Sequence, residues 1–322
     1  MLHFEIPGTW SIISQIMTKD KITKVIVIVG PTASGKSDLA VEIALRLSSG
    51  RAKKNIGAEI ISADSRQVYR GMDIGTGKIT KKEMRGVPHY LLDVASPKKE
   101  FNVAHFKKLA QKKIKEIISR GKIPVIVGGT GFWIDALVYD LNLPEVKPDK
   151  KLRAKLEVQS VEELFIKLKK LDPRRAKAID SKNKRRLVRA LEIILLTKKA
   201  IPQITSRLKY DALFIGIKIS KDILYKRIYK RLIARLEKGM VQEIKKLHKS
   251  GVSWKRLDDF GLEYRYVSRY IRGQLNREQM IDETFRAIKK YAKRQMTWFK
   301  RNKEINWVDN PKEALVLFGS NL

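Results

Sequence analysis

The stretch KVIVIVGPTASGKSDLA, from Lys24 to Ala40, constrains this chain more than any other. Val25 to Val29 is a short, wholly apolar run rich in β-branched residues, the pattern of a strand buried on both faces of a parallel sheet. A helix is expected directly afterwards, from Lys36 to Ser49. Between them, Gly30-Pro31-Thr32-Ala33-Ser34-Gly35-Lys36-Ser37 matches GxxxxGK[ST] at every fixed position. Glycines let backbone N–H groups close around an anionic phosphate, and the helix N-terminus adds partial positive charge. Lys36 then neutralises the terminal phosphate and the Ser37 hydroxyl holds Mg²⁺; the plainer alternative is a glycine turn without a ligand. Which diphosphate or triphosphate binds is open at this point.

The chain has 322 residues, 43% of them hydrophobic, enough for one large domain or two smaller ones. The absence of Cys excludes disulfides and Cys-ligated zinc, and four scattered His give no metal-ligand spacing. Any metal is then expected to be Mg²⁺ on carboxylate, hydroxyl and phosphate oxygens, and a reducing cytoplasm is the expected location. The balance of 69 Lys and Arg against 34 Asp and Glu leaves a net charge of +35. Such a charge predicts a polyanionic partner, unless the lysines only solvate helix faces. No run approaches the ~20 apolar residues that span a bilayer. Residues 1–20 read as a loose extension without the features of a secretory signal.

Residues 21–131 are expected to form the first part of an α/β core. Ala58 to Ser65 is a second strand ending in an acid, Asp64. In an open parallel sheet ligands sit outside the carboxyl ends of the strands, so Asp64 should emerge beside the phosphate loop. There it either binds Mg²⁺ through water, accepts a proton from a substrate, or caps the next turn. Three glycines lie between Gly71 and Lys78, followed by a strand predicted over Pro88 to Val94 and an amphipathic helix over Asn102 to Arg120. A buried strand, Ile123 to Val127, runs into Gly128-Gly129-Thr130-Gly131, which brings either the Thr130 hydroxyl to the rim or only a tight turn.

From Phe132 the strands stop. Residues 132–206 read as an all-helical insertion, with helices over Asp149 to Glu157, Val161 to Lys170 and Asn183 to Thr197. In the last of these, Arg185, Arg186 and Arg189 share one face while Leu187, Ala190 and Leu191 face inward, so the basic face either straddles phosphates or is simply solvated. Residues 207–322 return to the core through a strand, Ala212 to Ile219, and a helix, Asp222 to Met240, carrying Arg227, Arg231 and Arg235 and ended by Gly239. Those arginines either close over a diphosphate or are surface charge. The basic, helical C-terminal region mixes Lys and Arg with Tyr, Trp and Phe between Tyr291 and Lys300, which suits stacking on unpaired bases or docking onto the core.

GPTASGKS, SADSRQVYRGMDIGTGK, PHYLLDV, IPVIVGGTGFW, KRRLVRALE and YAKRQMTWF, in this order and spacing, make the chain resemble the tRNA dimethylallyltransferase (IPP transferase) family from about Lys24 to Asn310. The resemblance implies a P-loop NTPase-like parallel sheet flanked by helices. It also implies transfer of a dimethylallyl group from dimethylallyl diphosphate to N6 of the adenosine 3′-adjacent to the anticodon, position 37 of the tRNA. Thr32 to Ser37 would cradle the diphosphate with Mg²⁺ at Ser37, Asp64 would be the general base, and Lys36 and Thr130 would lie by the reacting atoms. Arg227 and Arg231 match a pyrophosphate-facing RxxxR. Contacts to the anticodon stem-loop would come from Asp64, Ser65, Arg66, Gln67 and Thr130. In the insertion they would come from Arg153, Arg185, Arg186, Leu187, Val188 and Arg189, and in the C-terminal region from Arg265, Lys293, Arg294 and Gln295. A monomer is expected. The chain departs from the usual GY[RK] at Gly261-Leu262-Glu263-Tyr264-Arg265, and the insertion looks short between Glu157 and Val161. The competing expectations are a P-loop kinase acting on a small metabolite and a non-catalytic RNA-binding protein; the +35 charge and the basic insertion weigh against the first.

Overall fold

The computed structural model describes residues 24–48, 57–144, 146–202 and 208–316. The N-terminal extension and the basic loop Arg51 to Asn55 lie outside the described residues. In chain order the elements are β1 (Lys24–Val29), α1 (Lys36–Ser48), β2 (Ala58–Ser62), α2 (Lys81–Met84), β3 (His89–Tyr90), α3 (Val103–Ser119), β4 (Ile123–Gly128) and α4 (Gly131–Val138). Then come α5 (Lys150–Glu157), α6 (Val161–Leu171), α7 (Pro173–Ala178) and α8 (Lys184–Thr197). The chain ends with β5 (Asp211–Ile217), α9 (Lys221–Glu237), α10 (Met240–Lys249), α11 (Trp254–Phe260), α12 (Leu262–Ile271), α13 (Arg277–Phe299), β6 (Asn306–Val308) and α14 (Pro311–Val316).

The six strands form one all-parallel sheet in the order β3-β2-β4-β1-β5-β6. β1 is central, with Ile26 opposite Val125 of β4 and Leu213 of β5. Its continuous apolar run has a direct cause: Val25, Val27 and Val29 enter one core while Ile26 and Ile28 enter the other. Because every strand runs the same way, the loops after β1, β2 and β4 leave from one edge.

Several sequence expectations shift. The strand over Pro88 to Val94 shrinks to two residues because Leu91 and Asp93 turn left-handed, with φ +62° and +57°. The helix expected over Asp222 to Met240 and ended by Gly239 is α9, which stops at that glycine with φ +96°, and α10 follows from Met240. The edge strand β6 has only three residues in a polar context and carries no run long enough to read. Of the aromatics near the C-terminus of α13, Phe299 is buried in the core and Trp298 donates from Nε1 to Asp135 Oδ2 at 2.8 Å, so these two dock the helix.

The chain divides into two compact units, one between Asp140 and Arg207 and the other formed by the chain on either side. The second unit begins eight residues after Phe132, where the insertion was expected to start, because residues 132–138 continue α4. There Trp133 stacks on Phe106 with ring centroids 4.6 Å apart.

Within the unit from Asp140, Leu156, Leu164, Leu168, Leu187 and Leu191 form the core. Its helices begin on side-chain caps: Asp149 accepts from Leu152 N, Ser160 from Glu163 N, Asp172 from Arg175 N and Asn183 from Arg186 N. Glu192 of α8 is fully buried and accepts from Arg153 Nε at 2.8 Å and from Arg189 Nη1 at 2.5 Å. Burial alone would raise its pKa, and the bonds from Arg153 and Arg189 bring it below the ordinary carboxylate value. Removing the carboxylate takes the acid from two guanidinium groups that are each about one-third exposed, and Arg189 keeps its bond to Val146 O, so part of the loss is recovered. Glu192→Ala is expected to lower stability by about 2 kcal/mol, read as a lower urea midpoint of this unit.

Candidate active site

The loop after β1 closes tightly because two of its positions cannot carry an ordinary side chain. A Cβ at Gly30 would press on Ser34 Oγ and the Ile217 carbonyl, and Gly35 sits at φ +89°. Ser34 is fully buried, with a hydroxyl that finds no partner among the described residues. Lys36 folds back over the loop and donates to Pro31 O at 3.3 Å. The Ser37 hydroxyl makes no hydrogen bond among the described residues, and it lines the cleft with Thr32, Lys36 and Asp64.

A helix far along the chain sets the position of this loop. Gln295 of α13 accepts from Thr32 N at 2.8 Å and donates to Gly129 O at 2.9 Å. Its carboxamide therefore spans the loops after β1 and β4, and a Cβ at Gly129 would overlap it. Gln295 was expected among the RNA contacts. It is instead 5% exposed, with the Oε1 and Nε2 ends of its amide each bound to backbone. The sequence held a usable signal, since Ile288, Ala292, Gln295 and Phe299 share the buried stripe of α13.

At the end of β2, Asp64 Oδ1 accepts from Arg66 N at 2.8 Å and from Gln67 N at 3.3 Å. Oδ2 accepts from no described group and is left to the cleft. Thr130 is joined to the same segment: its hydroxyl accepts from Ser65 N at 3.1 Å and its N–H donates to Ala63 O. Tyr291 lies near this segment, and burial together with the Asp64 charge holds its phenol well above the ordinary tyrosine range. Arg66 turns away from Asp64, donating to Phe260 O at 2.8 Å, while Gln67 donates to Gly77 O at 3.3 Å.

The opposite wall is cationic. Arg231 and Arg235 of α9 line the cleft with Lys36, and Arg227 lines its outer mouth. Arg227 and Arg231 have no hydrogen bond or ion pair among the described residues. Arg235 Nη1 is 2.9 Å from Glu263 Oε1 in the Gly261 to Arg265 segment that departs from GY[RK]. Burial, with Arg231 and Arg235 nearby, lowers the Lys36 pKa to about 8 although Asp64 opposes the shift. The glycine-rich segment forms the roof. Glu243 of α10 holds it, accepting from Asp73 N, Ile74 N and Gly75 N at 2.8, 2.6 and 3.0 Å. Sequence inspection alone does not single out Glu243, which comes to the roof through α10. Backbone N–H groups, three cations and a free carboxylate oxygen in one cleft can hold a polyphosphate and take a proton beside it.

The other predicted RNA-facing residues divide by burial. In the unit from Asp140, Arg185 and Arg186 are exposed, Leu187 and Val188 are core residues at 0% and 4% exposure, and Arg153 and Arg189 are committed to Glu192. Leucine and valine there serve packing because they occupy the inward stripe of α8. In the sheet unit, Lys293 and Arg294 are exposed on α13, and Arg265 donates to Asp258 O at 3.0 Å.

Residues 67–302 match the model of the IPP transferase family. The chain is 42% identical over 294 residues to the tRNA dimethylallyltransferase of Acetivibrio thermocellus, covering 88% of this chain and 91% of that one. It is also 42% identical over 306 residues to that of Staphylococcus carnosus, covering 91% and 93%. Among solved structures, the full-length tRNA isopentenylpyrophosphate transferase of Bacillus halodurans matches at 41% identity and a TM-score of 0.66, covering 89% of each chain. A eukaryotic dimethylallyltransferase solved acting on tRNA matches at 27% identity and a TM-score of 0.74, over 93% of this chain and 76% of that one. With a parallel-sheet core, a GxxxxGK[ST] loop and relatives at this identity along most of its length, the chain belongs to the IPP transferase family.

Proposed function

We propose that this chain transfers the dimethylallyl group of dimethylallyl diphosphate to N6 of the adenosine 3′-adjacent to the tRNA anticodon, position 37, giving N6-isopentenyladenosine and diphosphate. It acts as a monomer in the cytoplasm; among the described residues no helix is long and apolar enough to cross a membrane. The observation that carries the reading is the free Oδ2 of Asp64 in the same cleft as Lys36 and Arg231. The kinase and the non-catalytic RNA-binding alternatives give way to the family, whose curated relatives are dimethylallyltransferases.

The adenine N6 lone pair is delocalised into the ring, so the amine is a weak nucleophile unless its proton is accepted as it attacks. Asp64 accepts that proton as the new N6–C1 bond forms and the C1–O bond to diphosphate breaks. Negative charge then grows on the leaving oxygen, where free N–H groups of the loop between Ala33 and Ser37, the Lys36 ammonium and Arg231 meet it. Gln295 already occupies Thr32 N, so the remaining loop amides carry this load.

Magnesium fits at Ser37, which has an uncommitted hydroxyl, while the free Oδ2 of Asp64 is kept for the N6 proton. No cluster of three or more His, Cys, Asp or Glu suited to a metal occurs among the described residues. Such a site suits a hard cation that keeps waters and takes its remaining oxygens from the phosphates. When bound, Mg²⁺ supplies further charge neutralisation at the diphosphate. The target base has to leave the anticodon stack to reach Asp64. Arg185, Arg186, Lys293 and Arg294 supply exposed charge for the RNA backbone.

Incubation with unmodified tRNA, Mg²⁺ and dimethylallyl diphosphate, followed by nuclease digestion and mass spectrometry, is expected to yield N6-isopentenyladenosine; consumption of ATP without that product would contradict the reading. Asp64→Asn is expected to lower single-turnover transfer by about 10²-fold or more with tRNA affinity unchanged. In the empty site Lys36 loses its proton near pH 8, and a bound anion raises that pKa again. Pyrophosphate affinity should therefore carry a component that is flat below about pH 8 and weakens above it, measured by calorimetry and missing in Lys36→Met.

A further inference from the structure

Arg235 is two helical turns along α9 from Arg227 and one from Arg231, but its situation differs. Its side chain is 14% exposed and that of its partner Glu263 is 9% exposed. Nη1 donates to Glu263 Oε1 at 2.9 Å and reaches Gly75 O at 3.4 Å. Nε and Nη2 make no hydrogen bond among the described residues, and the guanidinium lines the cleft beside Lys36 and Arg231. The roof gives way to it: Gly77 stands at φ +58°, and a Cβ there would overlap Nη2. Arg235 is thus a largely buried cation with unused donors in the wall of an anion cleft.

Glu263 is the less expected partner. A buried ion pair is a poor source of stability, since two apolar side chains of similar volume would serve as well. Lys36, Arg231 and Arg235 share the inner cleft with Asp64, while Asp38 and Glu83 lie toward Arg231 at its outer mouth. At Arg235 the direct counter-charge is Glu263, and removing it would leave the guanidinium, beside Lys36 and Arg231, a more attractive trap for a diphosphate that has to leave after each turnover.

We propose that Arg235 is a third cation of the diphosphate subsite and that Glu263 is its resident counter-ion, which weakens the grip on released diphosphate. The inference rests on the reading that this cleft takes a diphosphate. Arg235 holds its donors toward the cleft, and incoming diphosphate shares the guanidinium with Glu263. On product departure Glu263 again carries the pairing alone.

The test is calorimetric titration of Mg²⁺ and pyrophosphate into the full-length protein without tRNA, so that transfer is not the readout. Arg235→Gln is expected to weaken binding about tenfold or more, the scale of one charge-assisted hydrogen-bonded contact. Arg235→Lys keeps the charge, loses the planar fork and should fall between that variant and the wild type. Glu263→Gln keeps an acceptor for Nη1 but removes the counter-charge, and is expected to bind pyrophosphate severalfold tighter. A role in holding the fold alone would not produce that gain. Thermal unfolding identifies the folded variants; if Arg235→Gln does not fold, Arg235→Lys and Glu263→Gln decide. Pyrophosphate binding within twofold of wild type in a folded Arg235→Gln, or weaker binding in Glu263→Gln, would overturn the proposal. A wild-type protein that binds no pyrophosphate would instead overturn the diphosphate reading beneath it.

Discussion

The carboxamide of Gln295 fixes the distance on which the cleft depends. It bonds Thr32 N in the loop after β1 and Gly129 O in the loop after β4, two segments nearly a hundred residues apart in the chain. A parallel sheet brings those loops to one edge but leaves their spacing loose, because strand ends are joined only through the ladder. The bridging amide removes that freedom and is itself held by α13, whose Phe299 is in the core and whose Trp298 is tied to Asp135. Gly129 has no side chain because the amide fills the space. In the proposed reaction this couples the diphosphate-holding loop to Thr130 and, through Ser65 N, to the segment that carries Asp64.

Charge is distributed in the cleft so that it is attractive to an anion without being saturated by it. Burial and two neighbouring guanidinium groups bring the Lys36 pKa down to about 8, close enough to neutrality for the lysine to respond to what binds. Asp64 opposes that shift and uses only one of its oxygens for the local turn. Glu243 does related work at the roof, where one carboxylate collects three backbone N–H groups. The +35 net charge of the chain is met at this cleft by few counter-charges: Arg235 is paired with Glu263, while Arg227 and Arg231 have no ion pair among the described residues.

Much of this was legible in the sequence because it is written locally. The doubly buried β1, the phosphate loop and the acid after β2 follow from β-branched composition, glycine geometry and strand-end chemistry within a few residues. The shortfalls have a common cause. Gln295 reads as one polar residue in a basic helix until the helix is docked, and Glu243 and Glu263 become meaningful only when α10 and α12 fold under the glycine-rich loop. The strand over Pro88 to Val94 fails because Leu91 and Asp93 adopt left-handed backbone that no composition rule requires of them. Leu187 and Val188 interrupt the basic segment; the helical period turns Leu187 inward with Ala190 and Leu191, and the fold buries Val188 beside them.

In the proposed reaction the cleft at the carboxyl ends of the strands brings a diphosphate donor and an adenine amine together. A crystal structure with an unmodified anticodon stem-loop and a thiolo analogue of the donor tests it most directly. The diphosphate is expected in the loop from Thr32 to Ser37 and the adenine out of its stack, with N6 within hydrogen-bonding distance of Asp64. An adenine still stacked in the anticodon loop, or a diphosphate bound away from Lys36, would contradict it.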